Sequence, residues 1–326
     1  MILRKIFTAI LLGLAFNIPV NVESKNNDVF VYVGGETIGF KNIEGLEITG
    51  IYEIDGMSPA SSAGLKVNDV ILKINDNEVH TREDLFTAIK DNYYEDLNIS
   101  YNRDGNIYET KLTPIVKNNK VSLGIYVKEE SLGMGTLTYV HPETLRFGAL
   151  GHNFTQNSGP CNGTINEVEL QSIIKSKSGF TGEKQGKFMT KVYGKLLLDD
   201  RVGIFGKLNN LDVLTKKKLY KVASQKDISL GTAYVYLNIS GNVVEKYQIE
   251  ILEINKQLSK DTKGIKFRVV DQNLIKATGG IIKGMSGSPI VQNEFIIGAV
   301  SHVVLNDPNI GYATHIGFML ENSNTL

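Results

Sequence analysis

The chain has 326 residues, enough for two domains, and its 42% hydrophobic and 21% charged content is that of a folded protein, not a disordered one. Basic and acidic residues both total 35, so the net charge is zero and nothing in the composition favours a nucleic-acid partner. The single cysteine, Cys161, excludes an intramolecular disulfide and a cysteine metal cluster. The 32 glycines favour a turn-rich β protein over a helical bundle.

The first 28 residues have the pattern of a segment that directs a protein out of the cytoplasm. Two basic residues, Arg4 and Lys5, precede an apolar run that ends near residue 18, and polar residues begin at Glu23. The run is short for a transmembrane span, and no clear pair of small residues marks a cleavage site. Residues 1–28 are predicted to be a signal peptide or membrane anchor plus linker, with a buried N-terminal helix as the alternative. The rest of the chain is expected to be exported.

Residues 29–116 form a compact module of short strands and helical segments in this interpretation. The stretch "SPA" at residues 58–60 opens a helical turn, and the Asp-Gly pair at 104–105 predicts a hairpin. A longer helix is expected to begin at Thr81, whose side chain can cap it together with Asp84 three residues later. Alternating apolar residues predict the strands between these signals.

This module resembles a PDZ domain. The resemblance rests on "SPASSAGLKVNDVILKIND", on the preceding glycine-containing loop and on the helix at 81–91. PDZ domains bind a peptide by adding it to a sheet edge, and backbone N–H groups hold its terminal carboxylate. The resemblance implies that this carboxylate loop consists of Thr37, Ile38, Gly39 and Phe40. A clamp within the chain that binds no external peptide is the alternative.

Residues 121–326 follow the polar break "KNNK" and consist mostly of predicted strands. Stretches such as "GTLTYV" and "GIKFRVV" are rich in β-branched and aromatic residues and are bounded by turn signals. Roughly 200 residues of this kind suit one large β domain or two packed barrels. The predicted fold is therefore mainly β, with an N-terminal PDZ domain followed by a barrel-type domain.

Ser286 lies in "GMSGSP", the part of this second region that suggests nucleophilic chemistry. Such glycine–serine runs are common in loops, so the pattern alone is also consistent with a plain turn. The backbone N–H groups of Gly284 and Ser286 can point at one spot and form an oxyanion hole, and Gly287 lets the chain turn closely. Ser288 is the rival nucleophile, but the glycine pattern favours Ser286. Trypsin-like proteases place the same Gly-x-Ser-Gly-x-Pro pattern before a hairpin.

Serine is a poor nucleophile until a base removes its proton, so the five histidines are the candidates for that base. His152 is favoured because it ends the apolar stretch "LRFGALGH", where a strand can hold it and a glycine leaves room for substrate. The other four are interpreted as a surface residue, His80, a turn residue, His141, and two packed strand residues, His302 and His315.

Asp271 is the candidate for the carboxylate that orients the histidine. In "GIKFRVVD", Ile265, Phe267 and Val269 share one strand face, and the period of two places Asp271 on that face. An inward carboxylate is costly unless paired, and a histidine N–H would offset that cost. A turn-capping role for Asp271 stays open. Asp307 in "LNDPN" is the competing carboxylate, although Asn-Asp-Pro is a common turn.

Two long segments are similar to the SpoIVB peptidases, stage IV sporulation protein B, of endospore-forming bacteria: "SLGIYVKEESLGMGTLTYVHPETLRFGALGHNF" and "VVDQNLIKATGGIIKGMSGSPIVQNEFIIGAVSHV". With the PDZ-like module and the export segment, the resemblance spans nearly the whole chain. It implies a trypsin-like barrel domain over residues 121–326, with His152, Asp271 and Ser286 as its catalytic residues. The family commonly has an acidic residue soon after the Gly-His pair. Residues 153–158 have none, a departure that concerns loop shape or specificity.

The resemblance also implies a function. Such enzymes are exported serine endopeptidases, without a metal or organic cofactor, that act in the space between forespore and mother cell. They cleave themselves and a membrane regulator of an intramembrane protease, which triggers processing of the late mother-cell sigma factor. A C-terminal or internal peptide in the PDZ groove is a further expected partner.

Two alternative functions remain. One is a catalytically silent PDZ scaffold that docks a membrane partner, which an intact triad argues against. The other is a general quality-control protease of the HtrA type, which is disfavoured because that type places its PDZ domain after the protease domain.

Overall fold

The computed structural model describes residues 28–42, 45–90, 95–128, 131–154 and 158–324. The predicted export segment therefore lies, apart from its last residue, outside the described part of the chain. None of the described helices is long and apolar enough to cross a membrane. The described chain begins with two short strands, β1 (Phe30–Val33) and β2 (Thr37–Asn42).

The PDZ domain follows these strands and has a sheet and a hydrophobic core of its own. Its sheet has the order β10-β3-β4-β6-β7, with β5 beside β4 and with β10 and β7 at the two edges. The elements are β3 (Leu46–Ile51), α1 (Pro59–Ser62), β4 (Val70–Ile74), β5 (Asn77–Glu78), α2 (Arg82–Ile89), β6 (Leu97–Arg103), β7 (Asn106–Leu112), the pair β8 (Ile115–Lys117) and β9 (Lys120–Ser122), and β10 (Ile125–Lys128).

Local signals in the sequence explain two of these elements. Thr81 and Asp84 form the predicted capping box of α2, in which each side chain accepts a hydrogen bond from the other residue's backbone N–H. The Asp84 carboxylate also accepts a hydrogen bond from the backbone N–H of His80 at 3.0 Å, and this bond, ahead of those from Thr81, lowers the pKa of Asp84. The turn between β6 and β7 falls at Asp104 and Gly105, both with positive φ, as a two-residue hairpin requires.

A six-stranded barrel comes next along the chain and closes around its own core. The new strands are β11 (Ser131–Val140), β12 (Arg146–Ala149), β13 (Gly159–Ile174), β14 (Glu183–Asp200) and β15 (Gly203–Leu208). Together with β2 they pair in the closed order β2-β11-β12-β15-β14-β13 and back to β2. Phe40, Phe147 and Ile165 are among the side chains that fill it.

A second six-stranded barrel completes the fold. Its elements are β16 (Leu219–Val222), a 3₁₀ turn (Gln225–Asp227), β17 (Gly231–Leu237), β18 (Glu245–Ile254), β19 (Ile265–Val269), α3 (Gln272–Thr278), β20 (Pro289–Gln292), β21 (Phe295–Val304), β22 (Asp307–His315) and α4 (Ile316–Asn324). Strands β21, β20, β17, β18, β19 and β22 close on themselves. Strand β16 joins this barrel to the first by pairing with both β21 and β1.

Most of the predicted architecture is confirmed, because the chain is mainly β and combines a PDZ domain with a trypsin-like pair of barrels. The PDZ domain, however, is inserted between β2 and β11 of the first barrel. Strands β1 and β2, which the sequence assigned to the PDZ module, belong to the large sheet of the barrels.

The predicted carboxylate loop at Thr37, Ile38, Gly39 and Phe40 is wrong for the same reason. These residues form β2, whose two edges are occupied by β11 and β13. Ile38 and Phe40 are fully buried in the barrel core. A strand paired on both sides has no row of free N–H groups to offer a peptide.

Candidate active site

Ser286 lies on the loop between α3 and β20, and two glycines give that loop its shape. Gly284 and Gly287 have φ values of +90° and +91°, which L side chains rarely adopt. A Cβ on Gly287 would also collide with the backbone carbonyl of Thr136 and the backbone of Leu150. The loop can take this path only with glycine at position 287.

His152 reaches Ser286 from the first barrel. It follows β12 after Leu150 and Gly151, both of which have positive φ, so the chain turns sharply as it leaves the strand. The Nε2 atom of His152 lies 2.8 Å from Ser286 Oγ, and its Nδ1 atom lies 2.7 Å from the backbone oxygen of Asn153. A neutral imidazole with its proton on Nδ1 donates to Asn153 and leaves Nε2 free to accept from the serine.

Asp271 does not contact His152, which is a correction to the predicted triad. Its carboxylate accepts hydrogen bonds from the backbone N–H groups of Asn273, Leu274 and Gln248. Asp271 is the N-cap of α3, where a carboxylate satisfies helix N–H groups that have no partner within the helix. The observed contacts of Asp271 are therefore those of a capping residue, the alternative that the sequence left open. The strand β19 ends at Val269, so the period-two argument does not extend to residue 271.

The N–H and carbonyl groups of the Ser286 loop differ in their hydrogen bonding. Among the described residues, no group accepts a hydrogen bond from the N–H of Gly284 or of Ser286. The carbonyl groups of the same loop point to β11, where Thr136 Oγ1 donates to Gly284 O at 2.8 Å and Thr136 N donates to Ser286 O at 2.9 Å. Thr138 Oγ1 donates to Gly287 O at 2.7 Å. With the carbonyl groups held there, both predicted N–H donors remain available to an oxyanion.

The two threonines of β11 that hold the Ser286 loop are positions that the sequence reasoning missed. Both are fully buried, and they alternate with Leu137 and Tyr139 on the opposite face of the strand. Two buried hydroxyl groups in a row need hydrogen-bond partners. This polar alternation in "GTLTYV" is the signal that could have identified them.

The other four histidines lie in the surface, turn and packed positions that their sequence context predicts, and His302 also lies close to His152. His80 lies beside Glu78 at the surface, His141 accepts hydrogen bonds within a turn, and His315 is buried with Nε2 at 3.0 Å from Asn255 O. His302 is packed on β21, but its ring lies 5.9 Å from that of His152. Burial, and then the neighbouring His152, lower the pKa of His302, so the neutral form of this side chain is favoured beside the Ser286–His152 pair.

The two rival residues are placed away from the chemistry. Ser288 is fully buried, and its hydroxyl lies 3.4 Å from Thr136 Oγ1. Asp307 is the first residue of β22, and its side chain accepts from the backbone N–H of Asn309. The hydroxyl of Ser286, and not that of Ser288, lies next to a histidine, which agrees with the predicted choice of Ser286 as nucleophile.

Lys184 is a buried cation behind the Ser286 loop. Its methylene groups lie 3.1 to 3.2 Å from the place that a Cβ on Gly284 would occupy. Its Nζ donates to Thr37 Oγ1 at 2.7 Å, and Thr37 donates in turn to Asn238. Burial lowers the pKa of Lys184 to about 7. Nothing in the sequence around residue 184 distinguishes this lysine from the exposed ones.

Two closed barrels, a Ser–His pair where they meet and an inserted PDZ domain define the class of protein: a PDZ-containing serine protease. Residues 117–320 match the model of the family described as SpoIVB peptidase S55, and residues 21–113 match that of the PDZ domain. The chain belongs to the SpoIVB peptidase S55 family. The PDZ match includes the barrel strands β1 and β2 and stops before β10, so its bounds differ from those of the folded domain.

Individual known proteins are more distantly similar. A curated protein of Clostridium acetobutylicum, named a zinc metalloprotease, is 34% identical over 71 residues, which is 22% of this chain and 21% of that protein. The chain thus spans about a fifth of the curated relative that it matches. Two solved structures of the Rv3671c protease of M. tuberculosis, the inactive and active forms, are 15% and 14% identical, both with a TM-score of 0.33. They cover 59% and 60% of this chain and 83% and 73% of their own.

Proposed function

We propose that the protein is a serine endopeptidase in which Ser286 is the nucleophile and His152 is its general base. The observation that carries the proposal is the 2.8 Å contact between Ser286 Oγ and His152 Nε2, beside two N–H groups with no described acceptor. A hydroxyl within hydrogen-bond reach of an unprotonated imidazole nitrogen is the arrangement that nucleophilic catalysis requires.

The proposed reaction proceeds in two steps. As Ser286 Oγ attacks the carbonyl carbon of the peptide bond, its proton passes to His152 Nε2, and the carbonyl oxygen becomes an oxyanion held by the N–H groups of Gly284 and Ser286. The imidazolium then gives the proton to the leaving amine, and an acyl-enzyme remains. Water repeats the sequence, with His152 as base, and releases the acid and the free serine. His152 Nδ1–H keeps its hydrogen bond to Asn153 O throughout.

The PDZ domain is proposed to hold the substrate at the edge strand β10. Ile125 and Val127 of β10 pack against the same core as Leu85 and Ile89 of α2, so an added peptide strand would run along β10 beside that helix. Gly124, just before β10, has a φ of +72° and shapes the loop that would receive a terminal carboxylate. The proposal therefore assigns the binding of the terminal carboxylate to the turn before β10, in place of residues 37–40.

Membership in the family supports the biological setting expected from the sequence. The protein is proposed to be exported into the space between forespore and mother cell, with its N-terminal segment as a signal peptide or membrane anchor. It would cleave itself and a membrane-bound regulator of an intramembrane protease, which leads to processing of the late mother-cell sigma factor. The peptide in the PDZ groove would come from one of these two substrates.

Labelling with a fluorophosphonate probe, which reacts with activated serines, tests the chemistry without knowledge of the natural substrate. Wild type is expected to be labelled, and Ser286→Ala is not. Intact-mass spectra of the two proteins over time then report self-cleavage, and wild type is expected to fragment while Ser286→Ala stays whole. A folded wild-type protein that is neither labelled nor cleaved would contradict the proposal and favour the silent PDZ scaffold.

A further inference from the structure

One peptide group connects His152 to a buried carboxylate in the first barrel. The oxygen of the Asn153–Phe154 peptide lies 2.7 Å from His152 Nδ1, and the N–H of the same peptide donates to Asp199 Oδ1 at 2.8 Å. With the 2.8 Å contact to Ser286, these bonds form a continuous chain from the serine hydroxyl to the Asp199 carboxylate.

Asp199 is held firmly in place. It lies near the end of β14, where it pairs with Ile204 of β15, and its side chain is 2% exposed. Both it and His152 belong to the first barrel, since β15 pairs in turn with β12, the strand that leads to His152. A carboxylate that is almost fully buried needs strong hydrogen-bond donors to offset its lost hydration. The Phe154 N–H is one such donor.

We propose that Asp199 is the carboxylate that positions His152, and that it acts through the Asn153–Phe154 peptide. The inference rests on the proposed role of His152 as the general base. Hydrogen bonds in a chain polarise one another, so donation of the Phe154 N–H to a carboxylate makes the Asn153 oxygen a stronger acceptor. That oxygen keeps the His152 proton on Nδ1, turns Nε2 toward Ser286 and stabilises the imidazolium when it forms.

Asp271 differs from Asp199 because the groups that it binds are not hydrogen-bonded to His152. Its carboxylate caps α3 in the second barrel, and its hydrogen-bond donors among the described residues are the backbone N–H groups of residues 248, 273 and 274. None of those groups hydrogen-bonds to His152 or Ser286. Loss of the Asp271 charge is therefore expected to weaken a helix cap, whereas loss of the Asp199 charge is expected to change the histidine itself.

The test compares Asp199→Asn with Asp271→Asn in the full-length protein. Asparagine at 199 keeps an acceptor for the Phe154 N–H but removes the charge. We expect fluorophosphonate labelling of Ser286 to slow by roughly 10- to 100-fold, which is less than the roughly 100- to 10,000-fold contribution of a general base, because His152 itself remains. The acid limb of the labelling rate should move to lower pH, because the negative charge of Asp199 favours the imidazolium and asparagine lacks that charge. Asp271→Asn should keep the wild-type rate and acid limb and should only melt at a lower temperature.

A second measurement separates this inference from the proposed function. NMR titration of the His152 Cε1–H resonance gives its pKa without any turnover, and that pKa should be lower in Asp199→Asn than in wild type. Should Asp199→Asn fail to fold, Asp199→Ser, which is smaller and still accepts a hydrogen bond, takes its place. An unchanged His152 pKa and acid limb in the Asp199 variant would overturn the inference, as would the same changes in Asp271→Asn. Failure of wild type to react with the probe would count against the proposed function alone.

Discussion

Single residues at the centre of this protein show how backbone geometry, rather than side-chain chemistry, limits what the site tolerates. Gly287 is needed for its positive φ and for the close approach of β11, not for any chemistry of its own. Gly317, in α4, has open space around the position of a Cβ and needs neither. The two glycines form a matched pair for mutagenesis.

Gly287→Ala is expected to abolish labelling of Ser286 and to lower the free energy of unfolding by at least ~1–3 kcal/mol, the usual cost of a strained backbone conformation. Gly317→Ala should leave labelling unchanged and should be neutral or stabilising by up to about 1 kcal/mol, since alanine is the better helix former. Chemical denaturation and probe labelling measure both effects. Equal activity of the two variants would show that the loop accommodates a side chain at 287.

Lys184 gives the protein a pH-dependent stability with a defined sign. Its pKa is about 7 in the folded protein, against 10.5 for the ordinary side chain. Between these values the unfolded chain holds a proton that the folded protein has released, so the free energy of unfolding rises with pH from about 7 to about 10.5. Below pH 7, Lys184 is protonated in both states and the cost of burying the charge is fully present.

Lys184→Met is expected to remove this rise. Urea unfolding at pH 6.5, 8 and 9.5 measures it as the difference between wild type and variant, which cancels the titration of all other groups. The difference should change by up to about 1.4 kcal/mol for each pH unit above 7. A constant difference across this range would mean that Lys184 keeps its proton in the folded protein.

At the scale of elements, β11 connects the PDZ domain to the Ser286 loop. It follows β10 after a short segment, and its buried Thr136 and Thr138 hold three carbonyl groups of the loop. The strand therefore supports the loop from behind, while His152 approaches Ser286 Oγ on its other side. Its hydroxyl groups hydrogen-bond to carbonyl groups of the loop that carries the proposed oxyanion donors.

Thr136→Val retains the shape of the side chain and removes the hydrogen bond to Gly284 O. Labelling of Ser286 should slow by roughly 5- to 10-fold, the equivalent of about 1–1.5 kcal/mol from one hydrogen bond. Thr110→Val is the matched control, because Thr110 Oγ1 donates to Ala63 O at 2.8 Å within the PDZ domain. It should lose similar stability and keep the wild-type labelling rate. Equal slowing of both would indicate a general loss of stability.

The edge strand β10 allows the two proposed activities to be separated. A Cβ on Gly124 would lie 2.8 Å from Tyr52 O, and its φ of +72° is unfavourable for other residues. Gly124→Ala is therefore expected to distort the loop before β10, to slow self-cleavage and to leave probe labelling unchanged. Gly56→Ala, at a positive φ but in open space, is the control. Self-cleavage at the wild-type rate in Gly124→Ala would argue against docking at this edge.

At the scale of the whole molecule, short-range patterns predicted local elements well and long-range contacts poorly. The capping box of α2, the hairpin at Asp104 and the glycine-rich turn at Ser286 are encoded within a few neighbouring residues, and the structure has each of them. The pairing of β2 with β11 and β13, which lie at least 89 residues further along the chain, leaves no local trace. Its alternation is the same whether it lies in a PDZ sheet or in a barrel.

The residues of the site also differ in whether a local pattern in the sequence could predict them. Ser286 and His152 each carry a local signal, and the structure brings them together. Asp271 carried a signal too, but an acidic residue before a helix is also the normal sign of an N-cap, and here that sign prevails. Asp199 reaches His152 only through the tertiary fold of the barrel and the peptide between them. No spacing in the sequence could have revealed it.

The insertion of the PDZ domain predicts that the barrels fold without it. Asn42 and Ser131 are directly opposite each other in the β2–β11 ladder, so a two-residue Asn-Gly turn can replace residues between them. The shortened protein is expected to fold, to react with the fluorophosphonate probe within several-fold of the wild-type rate, and to lose efficient self-cleavage. Circular dichroism, melting and labelling test this. A soluble but unfolded product would show that the barrels depend on the PDZ domain for stability.

The same insertion has a consequence for the order in which the chain acquires its structure. Strand β2 is synthesised well before its partner β11, and closing so long an unstructured loop costs conformational entropy. The PDZ domain has its own core and mostly local contacts, so it can fold first and bring Asn42 and Ser131 together. The Ser286 loop rests on β11, and it can assemble only after that step. A newly made chain would therefore display a finished peptide-binding module before it could cut anything.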